Sequence, residues 1–214
     1  MLEQATRLIV IRHGETTWNR ATRIQGHTDI PLSALGQAQA RRLAQALSDE
    51  SLAAVYASDL SRARQTAEAL AGIHGLAVRV DAGLRERAFG RFEGMSWDEI
   101  AQNHPEDSAR WRRREPDFAV GGGESLNTFS ARCLAAARRV VAAHPGENIA
   151  LVAHGGVLDC LYRAATRTEL DAPRSWQLGN ATINRLLATP EGFTLVGWND
   201  DRHLAGLSAD DITA

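Results

Sequence analysis

Two stretches decide the fold. One is Thr6-Arg7-Leu8-Ile9-Val10-Ile11, which runs into Arg12-His13-Gly14; the other is Asn148-Ile149-Ala150-Leu151-Val152-Ala153, which runs into His154-Gly155. Each apolar run suits a buried strand and is too short for a helix. Leu52–Ala57 and Leu76–Val80 read the same way. Helical patterns alternate with these runs. Ser33 caps one, with Leu35, Leu43, Ala46 and Leu47 on a face. A second begins at Asp59 or Ser61, spaces Leu60, Ala63, Ala67 and Leu70 helically, and ends at Gly72 and Gly75. Ser125 caps a long third with Leu126, Phe129, Cys133, Ala136, Val140 and Val141 inward, and a fourth spans about Gly156–Ala165. Strands alternating with helices predict an α/β fold, a three-layer α/β/α sandwich around a mostly parallel sheet. Thr182–Thr189 and Phe193–Asn199 predict a terminal strand pair, turned by Pro190-Glu191-Gly192.

Working outward, the 214 residues fit one domain spanning 1–214. Within it, Arg85–Glu124 reads as a small helical lid, with short helices from Ser96 and over Glu106–Arg114. At 44% hydrophobic and 23% charged residues, the chain is not disordered. A net charge of −2 asks for neither nucleic acid nor an anionic membrane as partner. All 24 basic residues are arginine, which excludes a Schiff-base lysine and a P-loop lysine. Cys133 and Cys160 sit in apolar helical stretches and read as small core residues. The first five residues show no signal-peptide pattern and no apolar run has membrane-spanning length, so a cytoplasmic protein is expected. The tail from Leu204 reads as polar and loosely held.

In open parallel sheets, ligands bind beyond the carboxyl ends of the strands. Arg12-His13-Gly14, Ser58-Asp59-Leu60-Ser61-Arg62, Leu84-Arg85-Glu86 and His154-Gly155-Gly156 all follow strands. Two histidines among arginines suit an anion. Guanidinium forks match phosphate oxygens, and a glycine after each histidine lets backbone approach a ligand closely. An imidazole among cations favours its neutral, nucleophilic form. Phosphoryl transfer to a histidine follows, with a glutamate protonating the leaving oxygen. Glu15, Glu86, Glu93 and Glu99 are the candidates for that acid.

These residues resemble the histidine phosphatase superfamily, the phosphoglycerate mutase-like proteins. The resemblance rests on ordered blocks: Arg12-His13-Gly14-Glu15-Thr16 with Asn19; Gln25-Gly26 through Gly36; Ser58-Asp59-Leu60 with Arg62 and Gln65-Thr66-Ala67; Leu84-Arg85-Glu86 with Gly90 and Glu93-Gly94; Gly123-Glu124-Ser125; and Val152-Ala153-His154-Gly155. It implies His13 as the phosphorylated nucleophile. It implies Arg12, Arg62 and His154 as the phosphoryl cradle, helped by Asn19 and the Gly155 N–H. Glu86 would be donor and then base. Gln25 and Gly26 would lie on the substrate side. No metal and no other cofactor is implied, and the partner is a small phosphorylated metabolite.

Trp111-Arg112-Arg113-Arg114 resembles the tandem arginines of the mutases, but only nine residues separate Trp111 from Gly121, where those enzymes carry a longer insertion. The short segment implies an open site and favours a phosphatase over a mutase; a non-catalytic binding protein is disfavoured because every residue the resemblance calls catalytic is present. His27, His74, His104 and His144 read as solvent-facing. His203 reads as pocket border or packing residue. Trp176 and Trp198 read as core, and a homodimer stays open.

Overall fold

The Thr6–Ile11 run becomes β1 (Thr6–Arg12), in which Leu8, Ile9, Val10 and Ile11 are all buried. A strand apolar on both faces needs cover on both. The computed structural model describes residues 5–207 and supplies that cover with helices on each side. After β1 come α1 (Thr17–Arg20), α2 (Ala34–Ala46), β2 (Ala54–Ala57), α3 (Ser61–Ile73) and β3 (Val78–Val80). Then follow α4 (Trp97–Asn103), α5 (Pro105–Arg112), α6 (Leu126–Ala142), β4 (Asn148–Ala153), α7 (Gly155–Thr166), β5 (Ile183–Thr189) and β6 (Gly192–Asp200). The sheet order is β3-β2-β4-β1-β5-β6. β3, β2, β4 and β1 run parallel; β5 and β6 are antiparallel additions at one edge. Six strands between two helical layers make the expected sandwich, and four carboxyl ends share one edge.

The two cores divide by layer. α6 and α7 bury Phe129, Cys133, Val157 and Leu161 against one face of the sheet. α2 and α3 bury Leu43, Leu47, Ala63 and Leu70 against the other. A third cluster, Ile24, Phe92, Ile100, Phe118 and Val120, holds the lid insertion together. Both cysteines are free and buried in the first core.

Some boundaries differ from expectation. β2 and β3 each begin two residues later than the leucine that opens the apolar run. On α2 the buried face is Gly36, Ala40, Leu43, Ala44 and Leu47; Ala46 is exposed, since it falls off that stripe and alanine costs little in water. α5 stops at Arg112 instead of Arg114, because Arg114 takes a left-handed φ of 53° shortly before Pro116. The stretch Arg12–Leu32 hides the one-turn α1, too short to show a period. Its sign was the capping box, Thr16 and Asn19 bonding each other's backbone. Of the tail, Arg202–Leu204 forms a helical turn, and 208–214 lie outside the described residues. No described helix is long and apolar enough to cross a membrane.

Candidate active site

β1 ends by handing Arg12 and His13 to the sheet edge, and β4 ends by handing over His154. The His13 N–H donates to Ala153 O at 3.0 Å, so the two histidines stand side by side, their ring centroids 5.2 Å apart. The turn after His13 is tight against the first turn of α2: a Cβ on Gly14 would lie 2.5 Å from Gly36 O. The Gly14 N–H is taken by Thr66 Oγ1 at 3.0 Å, which ties the turn to α3.

Among the described residues the His13 ring has one hydrogen-bond partner. Its Nδ1 lies 2.7 Å from Gly14 O. A carbonyl only accepts, so Nδ1 carries the proton and Nε2 keeps its lone pair. Burial first, then Arg62 and Arg12, hold the His13 pKa well below its ordinary value. The same order, burial and then Arg62, holds His154 down. Both rings are neutral at physiological pH.

Arg62 is fully buried on α3. Nη1 donates to Thr28 O at 3.0 Å and Nη2 to Gly26 O at 2.8 Å. Burial pushes its pKa down to about 10, which leaves it cationic. Arg12 is held by Leu178 O, and burial lowers its pKa too. Arg12 Nε, Arg62 Nε and both nitrogens of His154 are buried with no hydrogen-bond partner among the described residues. Each such group costs roughly 1–3 kcal/mol when left unmade. Their gathering around His13 fits a tetrahedral anion that would satisfy them together.

Glu86 sits opposite. The Gly156 N–H donates to Oε2 at 3.0 Å, and the Arg87 N–H to Oε1 at 2.8 Å. Gly156 has to be glycine here: a Cβ would collide with the Glu86 carboxylate and come within 2.9 Å of the Phe129 ring. The competing acids are occupied elsewhere. Glu93 accepts from the N–H groups of His27, Thr28 and Phe89 and from the Thr28 hydroxyl. Glu99 caps α4 and meets Arg23, and Glu15 meets Arg20 and Ser33.

A cavity of about 950 Å³ opens in front of these groups. Arg12, His13, Asn19, Gln25, Gly26, Arg62, Glu86 and Gly155 line it, while His154 lies just behind His13. Three of the expected contacts are partly spent on structure. The Gly26 carbonyl holds Arg62, Gln25 Oε1 accepts from Thr16, and Asn19 Oδ1 caps α1. Gly155 begins α7, where a backbone N–H has no helical partner.

The arginine run splits. Arg112 is exposed and Arg113 pairs with Glu115, whereas Arg114 reaches the cavity wall, donating to Leu170 O at 2.9 Å and to Asp159 at 3.0 Å. Sequence reasoning missed Arg87, Asp159 and Arg174, which also line the cavity. Arg87 had a sign in its adjacency to Glu86. Asp159 had one too, as half of an i,i+4 pair with Arg163 on an otherwise apolar helix. His27 and His144 are not solvent-facing. His27 Nε2 donates to Glu86 O at 2.9 Å, and buried His144 meets Tyr56 far from the cavity. His203 does not line the cavity; its Nε2 donates to Ala181 O at 2.9 Å, and the Ala181 N–H in turn donates to Arg12 O at 2.9 Å. Among the described residues, no group of three or more His, Cys, Asp or Glu is arranged to hold a metal.

The comparisons agree with this geometry. The model of the histidine phosphatase superfamily (branch 1) matches residues 8–201. Phosphoglycerate mutase-like protein 4 of Arabidopsis thaliana is 38% identical over 92% of this chain and 86% of its own. The metal-independent phosphoserine phosphatase of the same plant is 34% identical over 95% and 85%. The solved structure of Bacillus stearothermophilus YhfR superposes with a TM-score of 0.87 at 34% identity, covering 94% of this chain and all of that one. With its paired histidines, buried arginines and sheet order, this chain belongs to the histidine phosphatase superfamily.

Proposed function

We propose that the protein is a metal-independent phosphatase of small phosphomonoesters, working through a phosphohistidine. The observation that carries this is the His13 ring. Its Nδ1–H is spent on Gly14 O, which leaves a neutral Nε2 lone pair beside two guanidiniums. Nε2 attacks phosphorus, the P–O bond to the alcohol breaks, and Glu86 gives its proton to the departing oxygen. Arg12, Arg62, His154, Asn19 and the Gly155 N–H hold the three phosphoryl oxygens, and the arginines balance the charge that builds on them. Glu86, now a carboxylate, takes a proton from water as that water attacks phosphorus. The P–N bond breaks and inorganic phosphate leaves. Gln25 and Gly26 shape the substrate side, Gly26 chiefly by holding Arg62.

A second reading, phosphoglycerate mutase, draws support from the mutase-like relative and from Arg114 and Arg174, two further cations that line the cavity. The two readings share the first half-reaction and part at the second, where a mutase keeps water out. The test is phosphate release from phosphoserine, 3-phosphoglycerate, sugar phosphates and p-nitrophenyl phosphate in excess EDTA, with His13→Ala alongside. Release that ignores EDTA and vanishes in the variant is the expected result. Isomerisation of 3-phosphoglycerate that outruns release would favour the mutase. Tight binding of esters with neither outcome would make the protein a non-catalytic binder.

A further inference from the structure

Glu86 stands on a segment with little regular structure of its own. Ala82–Leu84 is a single 3-10 turn, and the chain is irregular from Arg85 to Phe89. A carboxyl that delivers a proton to one oxygen has to be held to within about 0.5 Å. Something outside the segment must hold it.

Arg132, on the second turn of α6, reaches across to do so. Nη1 donates to Gly83 O at 2.9 Å and to Arg85 O at 3.0 Å; Nη2 donates to Glu86 O at 3.2 Å. Nε and Nη2 also meet the two carboxylate oxygens of Glu124, at 2.9 and 2.7 Å. All five donors of the guanidinium are therefore used. Glu124 continues the clamp past Glu86. Its Oε2 accepts from the Ala88 N–H at 2.9 Å, and its carbonyl accepts from Arg87 Nε at 2.8 Å. The pair grips the chain at residues 83, 85 and 86 on one side and 87 and 88 on the other. Neither Arg132 nor Glu124 lines the cavity.

The Gly156 N–H holds the Glu86 carboxylate and His27 shares its carbonyl; we propose that the Arg132–Glu124 pair is the positioning element for the backbone that carries Glu86. It sets the place of the carboxyl through the backbone on both sides and does not itself touch substrate. This inference rests on the reading of Glu86 as the proton donor. It has a consequence that simple packing lacks. A misplaced acid slows esters whose leaving oxygen needs the proton and spares those whose oxygen departs without it. Loss of packing slows both alike.

The experiment compares kcat/KM for p-nitrophenyl phosphate with kcat/KM for the alkyl phosphate that the wild type turns over fastest, because kcat/KM reports the departure of the alcohol and leaves out the water step that all esters share. The variants are Arg132→Gln, Arg132→Lys and, as reference, Glu86→Gln, with melting temperature checking the fold of each. Arg132→Gln is expected to lose on the order of 10²-fold on the alkyl ester, the scale of an ångström's misplacement. On the aryl ester it should lose at least tenfold less. Arg132→Lys should restore little, because an ammonium has three donors for five acceptors. If Arg132→Gln does not fold, Glu124→Gln, which keeps the shape and removes the charge, carries the same comparison. Equal losses on both esters, with Glu86→Gln still biased toward the alkyl ester, would overturn the positioning role and leave the acid assignment standing. No bias in Glu86→Gln itself would remove the acid assignment and the positioning role with it.

Discussion

The dipeptide His-Gly ends two neighbouring parallel strands, and its two copies are built differently. At the end of β1, the His13 ring bonds the carbonyl of its own following residue, Gly14 is hemmed in by Gly36, and the chain leaves as an irregular loop. At the end of β4, neither His154 nitrogen has a partner among the described residues, and the chain turns at once into the twelve-residue α7. A Cβ on Gly155 would meet the Arg12 side chain first, at an ordinary contact distance of 3.6 Å. The contrast teaches that the dipeptide alone does not equip a histidine for the role proposed for His13. There a carbonyl fixes the tautomer and leaves one lone pair to point outward.

The comparison breaks most plainly by deletion. His13→Ala should cost on the order of 10⁴-fold or more in kcat, because nothing else accepts the phosphoryl group. His154→Ala should cost only on the order of 10²–10³-fold, the scale of one lost contact to developing charge. Equal losses would mean the two rings share one task. Arg62 bears on both rings, so Arg62→Ala should cost on the order of 10²–10³-fold in turnover of any ester. A loss of only twofold would place the phosphoryl group elsewhere.

The tight glycine sharpens the contrast at a smaller scale. Gly14→Ala pushes a methyl into the backbone of Gly36 and should lower stability by about 1–3 kcal/mol, read in thermal unfolding. An unchanged melting temperature would mean the His13 turn has slack. The last effect is in pH. Both histidines are kept neutral in the fold, while in the unfolded chain they take up protons below about pH 6.5. The unfolded state then binds more protons, so stability is full above that value and declines as pH falls, by about 1.4 kcal/mol per pH unit for each such histidine. His13→Gln should remove part of that slope. A slope identical to wild type would show that His13 titrates normally.

Much of this was legible because chemistry and periodicity coincide at the strand ends. Arg12, His13, Arg62 and His154 could be placed because each follows an apolar run or opens a helix whose spacing fixes its position; Glu86, on irregular chain beyond β3, was singled out by the family resemblance. In the lid the two helices were legible, Ser96 capping α4 and the Glu106–Arg114 stretch falling on α5, but their packing was not: Ile24 comes from before β2 and Phe118 and Val120 from irregular chain, so no local period reports those contacts. Arg114 and Asp159 meet only because a left-handed residue ends α5 and turns its side chain inward, a backbone choice that a charge run does not reveal. His27 looked like a loop histidine because its partner is a backbone carbonyl, and carbonyls leave no mark in a sequence.

The most direct test is to mix enzyme with excess 3-phosphoglycerate or p-nitrophenyl phosphate, quench in alkali within milliseconds, and map the phosphorylated peptide by mass spectrometry. The account predicts a phosphoryl group on His13, still present in His154→Ala and absent in His13→Ala. A phosphoryl group on His154, or turnover by His13→Ala at the wild-type rate, would contradict it.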